Sequence, residues 1–238
     1  MNIHISLAAE PIFHLGPLAF TNSMFVSWLV TLGLILFAKI ATKKIKIIPE
    51  KIQSLAEMVL EGLLSFFEGV AGEHAREFFP LITTFFLYIL LSNWSGLLPG
   101  VGTIGFYIYE HGKEVFVPFL RGATADLNTT FALALISVFA LHYYAFEHLG
   151  ASKYIFSRFV NPIGILELMA DFAKVLSFSF RLFGNIFAGE VLLIVIAGLM
   201  PFFAPLPFIG LELFVGLIQA LIFTTLTTIF FKTALETH

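Results

Sequence analysis

The stretch LSFSFRLFGNIFAGEVLL, residues 176–193, decides the fold, because it is apolar enough to lie in a bilayer yet carries an arginine near its centre. Arg181 is flanked by Phe180 and Leu182. A guanidinium is not deprotonated in proteins. At the centre of a bilayer such a charge costs about 2.5 to 3.5 kcal/mol even on insertion scales. We therefore expect Arg181 to face protein or water and to have a function.

The composition of the whole chain is that of an integral membrane protein. Of its 238 residues, 58% are hydrophobic and 12% are charged, whereas soluble domains are about 45 to 50% apolar and about 25% charged. The net charge of −3, without a basic stripe, argues against a nucleic-acid partner. The absence of cysteine excludes disulfides, thiol catalysis and thiolate metal sites. We expect no cofactor and no metal.

Five segments are long and apolar enough to cross a bilayer, since about 20 apolar residues span its hydrocarbon core. The predicted membrane helices lie at 20–39, 78–98, 126–145, 162–199 and 206–234. The predicted fold is therefore all-α: a polytopic membrane protein with about five transmembrane helices. Residues 1–238 are expected to form a single integral membrane domain.

Lysines after the first span set the predicted orientation. Lys39, Lys43, Lys44 and Lys46 form the densest positive cluster in the chain, and the positive-inside rule places such clusters in the cytoplasm. The N-terminus is then outside, and five spans put the C-terminus in the cytoplasm.

Residues 50–71 predict an amphipathic helix that lies on the membrane surface or packs on a partner helix. Glu57, Glu61 and Glu68 recur on one face at helical spacing. Six apolar residues recur on the other face: Ile52, Leu55, Val59, Leu63, Phe66 and Val70. The glutamates are interpreted as a solvated face.

Polar residues follow one side of the fifth predicted span. Their positions differ by 4, 3, 7 and 4, which places them on one stripe because a helix turns about 100° per residue. They are Glu167, Asp171, Lys174, Arg181 and Asn185. The first three could instead form ion pairs within the helix. Asn185 could have no role beyond a hydrogen bond to a neighbouring helix.

Two further carboxylic acids lie in the last two spans, toward the outer side of the membrane. Glu190 is nine positions past Arg181, on roughly the opposite side of the helix, and Glu212 lies two turns before Gln219 on one face. Carboxyls that line a path can pass protons along water, whereas an arginine cannot. The alternatives are that Glu190 or Glu212 is buried and protonated without a role, and that Arg181 only anchors a carboxylate.

The segment before the fourth span predicts a helix cap. Asp126 and Asn128, in TADLNTT, are residues typical of a helix N-terminus. Both are also candidates for the lining of an aqueous path.

Several blocks resemble one family over most of the chain and in the same order. RLFGNIFAGE (181–190) and LIQALIF (217–223) resemble subunit a of the F-type ATP synthase, as do RGATADLNTT (121–130) and the NPIG-ILE stretch (161–167). The resemblance implies a static subunit that packs against a rotating ring of hairpin subunits, subunit c. It also implies long, tilted last helices, a membrane-parallel amphipathic helix and a peripheral stalk containing subunit b.

The resemblance also implies roles for individual residues. Arg181 matches the essential arginine of the family, which separates two offset aqueous half-channels. Asn185 and Glu190 match its motif neighbours, and Gln219 matches the polar residue of the last helix. Some members carry a histidine seven residues before that glutamine, where this chain has Glu212. We therefore expect Glu190 and Glu212 to share a proton and to serve the outer half-channel.

The predicted function is that of the proton-conducting stator subunit in the cell membrane of a bacterium. The chain is not expected to be catalytic by itself, since it has no Walker A motif. The alternative is a channel or secondary transporter that acts alone. The absence of internal repeats argues against that alternative.

Overall fold

A computed structural model describes residues 9–16, 18–98, 100–101, 104–110, 113–150, 162–200 and 203–236. Within these ranges the six α-helices are α1 (Asn22–Thr42), α2 (Lys51–Ala71), α3 (Ala75–Ser95), α4 (Leu127–Leu149), α5 (Pro162–Leu199) and α6 (Pro205–Glu236). Two antiparallel hairpins join β1 (Pro11–Leu15) to β2 (Leu18–Thr21) and β3 (Gly105–Glu110) to β4 (Lys113–Pro118). Short 3₁₀ turns cover Gly72–His74 and Ala123–Ala125.

Five stretches of the described helices are long and apolar enough to cross a membrane. They are Asn22–Thr42, Lys51–Ser95, Leu127–His148, Leu166–Leu199 and Pro205–Leu235. The predicted all-α, polytopic fold class is confirmed. The two hairpins were not anticipated from the sequence.

The first helix begins and ends slightly later than the predicted 20–39. The strand β2 continues to Thr21, whose hydroxyl accepts a hydrogen bond from the Met24 N–H at 3.3 Å and so caps the helix. At the other end α1 continues past Lys39 to Thr42. A lysine in the last turn is favourable there, because the carbonyl end of a helix is negative.

Helix α2 buries only a few of its residues and leaves most of its apolar face exposed. Its buried residues include Leu63, Phe67 and Ala71, whereas Leu55 and Phe66 are about half exposed. The helix ends at Gly72, which has φ +64° and donates its N–H to the Glu68 carbonyl. This left-handed conformation favours glycine. The placement of α2 at the membrane surface remains a prediction.

The chain divides into two compact units, and the division falls within helices α1, α3, α4, α5 and α6. The first unit comprises Met1–Leu34, Tyr88–Thr130 and Phe180–Ala220. The second comprises Ile35–Leu87, Phe131–Ser179 and Leu221–His238.

The first unit is held together by side chains at the end of α3. The Asn93 amide donates to the Gly216 carbonyl at 2.8 Å, and its oxygen accepts from the Thr124 hydroxyl at 2.6 Å. Trp94 donates its indole N–H to the Leu213 carbonyl at 3.0 Å. Asn93 thus ties α3 to α6 and to the segment that precedes α4.

The second unit has an aromatic core between α3, α4 and α6. The rings of Phe78, Tyr144 and Phe231 contact one another, with centroids 4.9 to 5.3 Å apart. The hydroxyls of Ser137 and Thr227 join α4 to α6 by a buried hydrogen bond of 3.0 Å. Such bonds satisfy polar groups that lipid cannot.

Candidate functional site

Arg181 lies on an exposed face of α5 in the first unit. Arg181 and Asn185 are exposed, whereas the intervening Leu182 and Phe183 are buried. The Asn185 amide donates to the Arg181 main-chain carbonyl at 3.0 Å, within its own helix. The cation and the amide therefore share a face that is turned away from the packing side of the helix.

Besides Asn185, the neighbours of Arg181 on this face include apolar and small residues. Phe180 is 55% exposed, and Gly184 and Ala188 are exposed as well. Small residues allow another helix to approach closely in a membrane. A permanent cation on such a face calls for a carboxylate or for water as its neighbour.

Glu190 points to a different part of the same unit. Its carboxylate lies 3.3 Å from Nε of Arg121, which is 5% exposed. The Arg121 guanidinium carbon also lies 5.9 Å from the ring centroid of Phe187, one turn before Glu190. A second arginine is thus part of the polar set of this unit.

The carboxyl group of Glu212 packs directly on the backbone of Gly189. A Cβ atom at Gly189 would coincide with that carboxyl group, so only glycine leaves room for it. Glu212 is 7% exposed, and Gln219, two turns further along α6, is also buried. The contact places Glu212 next to the residue that precedes Glu190 in the chain.

Asp126 is the cap of α4, as the sequence predicted. Its Oδ1 accepts the Asn128 N–H at 3.1 Å and the Asn128 side-chain amide at 3.2 Å. Its Oδ2 accepts the Ser23 hydroxyl from α1 at 3.0 Å. Both oxygens of this buried carboxylate are therefore held by donors.

Comparisons with known proteins match nearly the whole chain. The family model of the ATP synthase A chain matches residues 24–232. A protein named ATP synthase subunit a 2, from Bradyrhizobium sp. (strain BTAi1), is 32% identical over 231 residues, which are 96% of this chain and 95% of that protein. The chain belongs to the ATP synthase subunit a family.

This member of the subunit a family has a second polar group, in the second unit. The Lys174 ammonium lies 3.0 Å from Oδ1 of Asp171, and His142 Nε2 lies 3.6 Å from Oδ2. The same ammonium lies 4.7 Å from the ring centroid of Phe230. The intrahelical ion pair considered from the sequence is therefore observed for Asp171 and Lys174. Glu167 is partly exposed on the same helix.

The structure brings several of the predicted residues into two groups. In the first unit, Asp126 and Asn128 bond each other, and Glu212 lies beside Gly189. In the second unit Asp171 and Lys174 form an ion pair.

Two site residues were missed from the sequence. The polar pattern of the sequence did not indicate Arg121 or His142 as members of a polar group. The position of Arg121 at the start of the family block RGATADLNTT was the available indication. Nothing near His142 in the sequence indicated a contact with Asp171.

Proposed function

We propose that this subunit a family member is the stator of a rotary F-type ATP synthase, which carries protons to and from a rotating ring. The observation that carries the proposal is Arg181, a permanent cation on an exposed helix face that it shares with Asn185 and with apolar and small residues. A rotating ring whose subunits each bear a membrane carboxylate would bring acids to this face in turn. The ring, subunit c, is therefore the partner proposed for this face.

Arg181 has two tasks in this mechanism. Its charge favours the ionised form of a ring carboxylate that comes alongside, so that carboxylate releases its proton. The same charge repels protons and prevents direct leakage between two offset half-channels. The Asn185 side chain donates a hydrogen bond to the Arg181 main-chain carbonyl and adds a second polar group to this face.

The polar residues of the first unit are proposed to line the outer half-channel. Protons would pass Asp126 and Asn128 and then Glu212 and Glu190, with Gln219 deeper along α6. A ring carboxylate that takes up such a proton becomes neutral and can face lipid without the cost of a buried charge.

The polar group of the second unit is proposed to line the cytoplasmic half-channel. Glu167, Asp171 and Lys174 lie on the part of α5 assigned to that side, and His142 adds an imidazole beside Asp171. Each proton that crosses a potential of 100 mV releases about 2.3 kcal/mol. Several protons are therefore needed for each ATP, which other subunits would make.

The assembly implied by this function places the chain in the bacterial cell membrane, in contact with lipid, with its N-terminus outside and its C-terminus in the cytoplasm. Subunit c would cover the Arg181 face, subunit b of the peripheral stalk would hold the chain still, and the remaining ATP synthase subunits would carry out catalysis. The open apolar side of α2 is suited to lipid or to a stalk helix.

Cross-linking tests the proposed ring contact. The chain has no cysteine, so a single cysteine can be introduced at Gly184 or Ala188 on the Arg181 face. Phe139→Cys, at an exposed position on α4, is the matched control. In the purified complex we expect cross-links to a small ring subunit from Gly184→Cys and Ala188→Cys only. Equal cross-linking from all three positions, or none from the first two, would contradict the proposal.

A further inference from the structure

Arg121 is held in the first unit by close backbone packing. The residue after it, Gly122, meets Gly96 at the end of α3, where an added Cβ at Gly96 would lie 3.2 Å from the Gly122 Cα. The 3₁₀ turn Ala123–Ala125 follows and is buried. The main chain at Arg121 therefore has little freedom to move, and its guanidinium is directed at Glu190.

We propose that Arg121 is a positioning residue for proton transfer: its guanidinium holds the Glu190 carboxyl group in one orientation in the outer half-channel. This inference rests on the proposed function. A buried guanidinium keeps its charge, and its charge-assisted hydrogen bond at 3.3 Å sets the orientation of the Glu190 side chain. The cation contact with Phe187, on the same turn of α5, aligns the pair further.

Glu212 differs from Glu190 in its surroundings. It is more deeply buried, and its carboxyl group lies against the Gly189 backbone. Glu190 thus has a cationic neighbour that fixes its orientation, whereas the Glu212 carboxyl group is placed against main chain.

The test compares Arg121→Gln, Glu190→Gln and the double variant in the reconstituted complex. Arg121→Gln releases the Glu190 side chain and Glu190→Gln removes its acid, so we expect ATP-driven proton pumping to fall about tenfold in each. Because Arg121 acts through Glu190, the double variant should pump no less than Glu190→Gln alone. Arg121→Lys should keep part of the activity, because the charge remains.

Two results would overturn the inference: full pumping by Arg121→Gln, or a double variant that pumps far less than Glu190→Gln alone. Co-purification with the ring is measured for every variant, so that failed assembly is recognised. Arg181→Ala separates the two proposals. If Arg181→Ala abolishes pumping while Arg121→Gln does not affect it, only the inference about Arg121 fails.

An independent observation in the second unit points to a metal site of two histidines and one glutamate. His74 lies in the 3₁₀ turn before α3, Glu77 in the first turn of α3 and His148 in the last turn of α4. Oε2 of Glu77 lies 3.3 Å from Nε2 of His148 and 3.8 Å from Nδ1 of His74. The ligand atoms of the three residues all lie within 4.8 Å of one another.

The hydrogen bond of His148 prepares it as a ligand. Its Nδ1 lies 3.1 Å from the Tyr144 carbonyl, which can only accept, so Nδ1 carries a proton. If the ring is neutral, Nε2 then presents a lone pair to the Glu77 carboxylate, and a cation between them removes the repulsion. Histidines that bind metals commonly donate their other N–H to a carbonyl in this way. Two histidines and a carboxylate with an open fourth position suit Zn²⁺.

Zinc counting tests the metal site. The purified complex is incubated with Zn²⁺, passed through a desalting column and analysed by mass spectrometry for bound zinc. We expect one zinc fewer per complex in His148→Ala and in Glu77→Gln than in the wild type. Glu73→Gln, next to His74 but outside the cluster, is the control and should lose none. Equal zinc in all four proteins would overturn the site and identify an imidazolium–carboxylate ion pair instead.

Discussion

The Glu212 carboxyl group occupies the space into which any side chain at Gly189 would project. This contact joins α6 to α5 immediately beside Glu190. The glycine in the middle of the AGE block leaves the helix surface flat at the place where the carboxyl group lies. The position of Glu212, a proposed proton carrier, thus depends on residue 189 being a glycine, which has no side chain.

Gly189→Ala is expected to displace Glu212 and to reduce proton pumping. The added methyl group and the carboxyl group cannot occupy the same place, so the α6 side chain must change its rotamer or the helices must separate. Because the carboxyl group is the end of a flexible side chain, we expect the Glu212 rotamer to change first. Pumping and assembly of the complex are measured together, because separated helices would also reduce assembly.

Two further variants make the Gly189 prediction specific. Gly189→Ala combined with Glu212→Asp has a shorter acid and should recover part of the pumping. Gly33→Ala in α1, where an added Cβ meets nothing within 4 Å, should behave as the wild type. A Gly189→Ala complex with wild-type pumping would show that this contact is not required.

Arg181→Ala should abolish proton-driven ATP synthesis and permit a passive proton leak. The reason is that no fixed charge then separates the two half-channels. Arg181→Lys should also fail, because lysine is a compact charge that loses its proton more readily on burial and lacks the planar fork of donors. ATP synthesis and the decay of a pH gradient are measured in liposomes. Synthesis at the wild-type rate with either variant would contradict the role assigned to Arg181.

The two carboxyl groups should differ in their effect on the pH profile of proton uptake. Glu212→Gln removes the proposed carrier, so uptake should be lost across the pH range. Glu190→Gln removes the acid that is paired with Arg121, so uptake should decrease while its pH-dependent step remains. Unchanged profiles in both variants would remove the pair from the path, and loss of the step in Glu190→Gln alone would assign the proton to Glu190.

Much of the fold could be predicted because the bilayer imposes a simple rule on length and polarity. A charge-free run of about 20 residues has few structures open to it other than a spanning helix. Arg181 was recognised for the same reason, because a charged residue is rare within a membrane-spanning segment. Asp126 was recognised as a cap because capping depends on residues that are close in sequence.

The contacts that relate distant parts of the chain could not be predicted in this way. Arg121 and Glu190 are 69 positions apart, and their pairing depends on the backbone packing of Gly122 against Gly96. The contact of His142 with Asp171 depends likewise on how α4 packs on α5. Periodicity gives the face of a helix on which a residue lies, but not the residue that it meets.

Asp126 allows its structural and its proposed proton-carrying roles to be separated. Asp126→Asn keeps an oxygen that can accept the Asn128 N–H, so α4 should stay capped, whereas Asp126→Ala removes the cap at a cost of about 0.5 to 2 kcal/mol. If the carboxyl group takes part in proton passage, pumping should fall in Asp126→Asn although thermal stability and assembly are unchanged. If its task is only to cap α4 and to hold Ser23, Asp126→Asn should pump normally and only Asp126→Ala should be impaired. Ser23→Ala completes the comparison, because it removes one donor to the carboxylate and leaves the bond to Asn128 intact. A loss of pumping in Asp126→Asn with normal pumping in Ser23→Ala would therefore assign the effect to the acid itself and not to its anchoring.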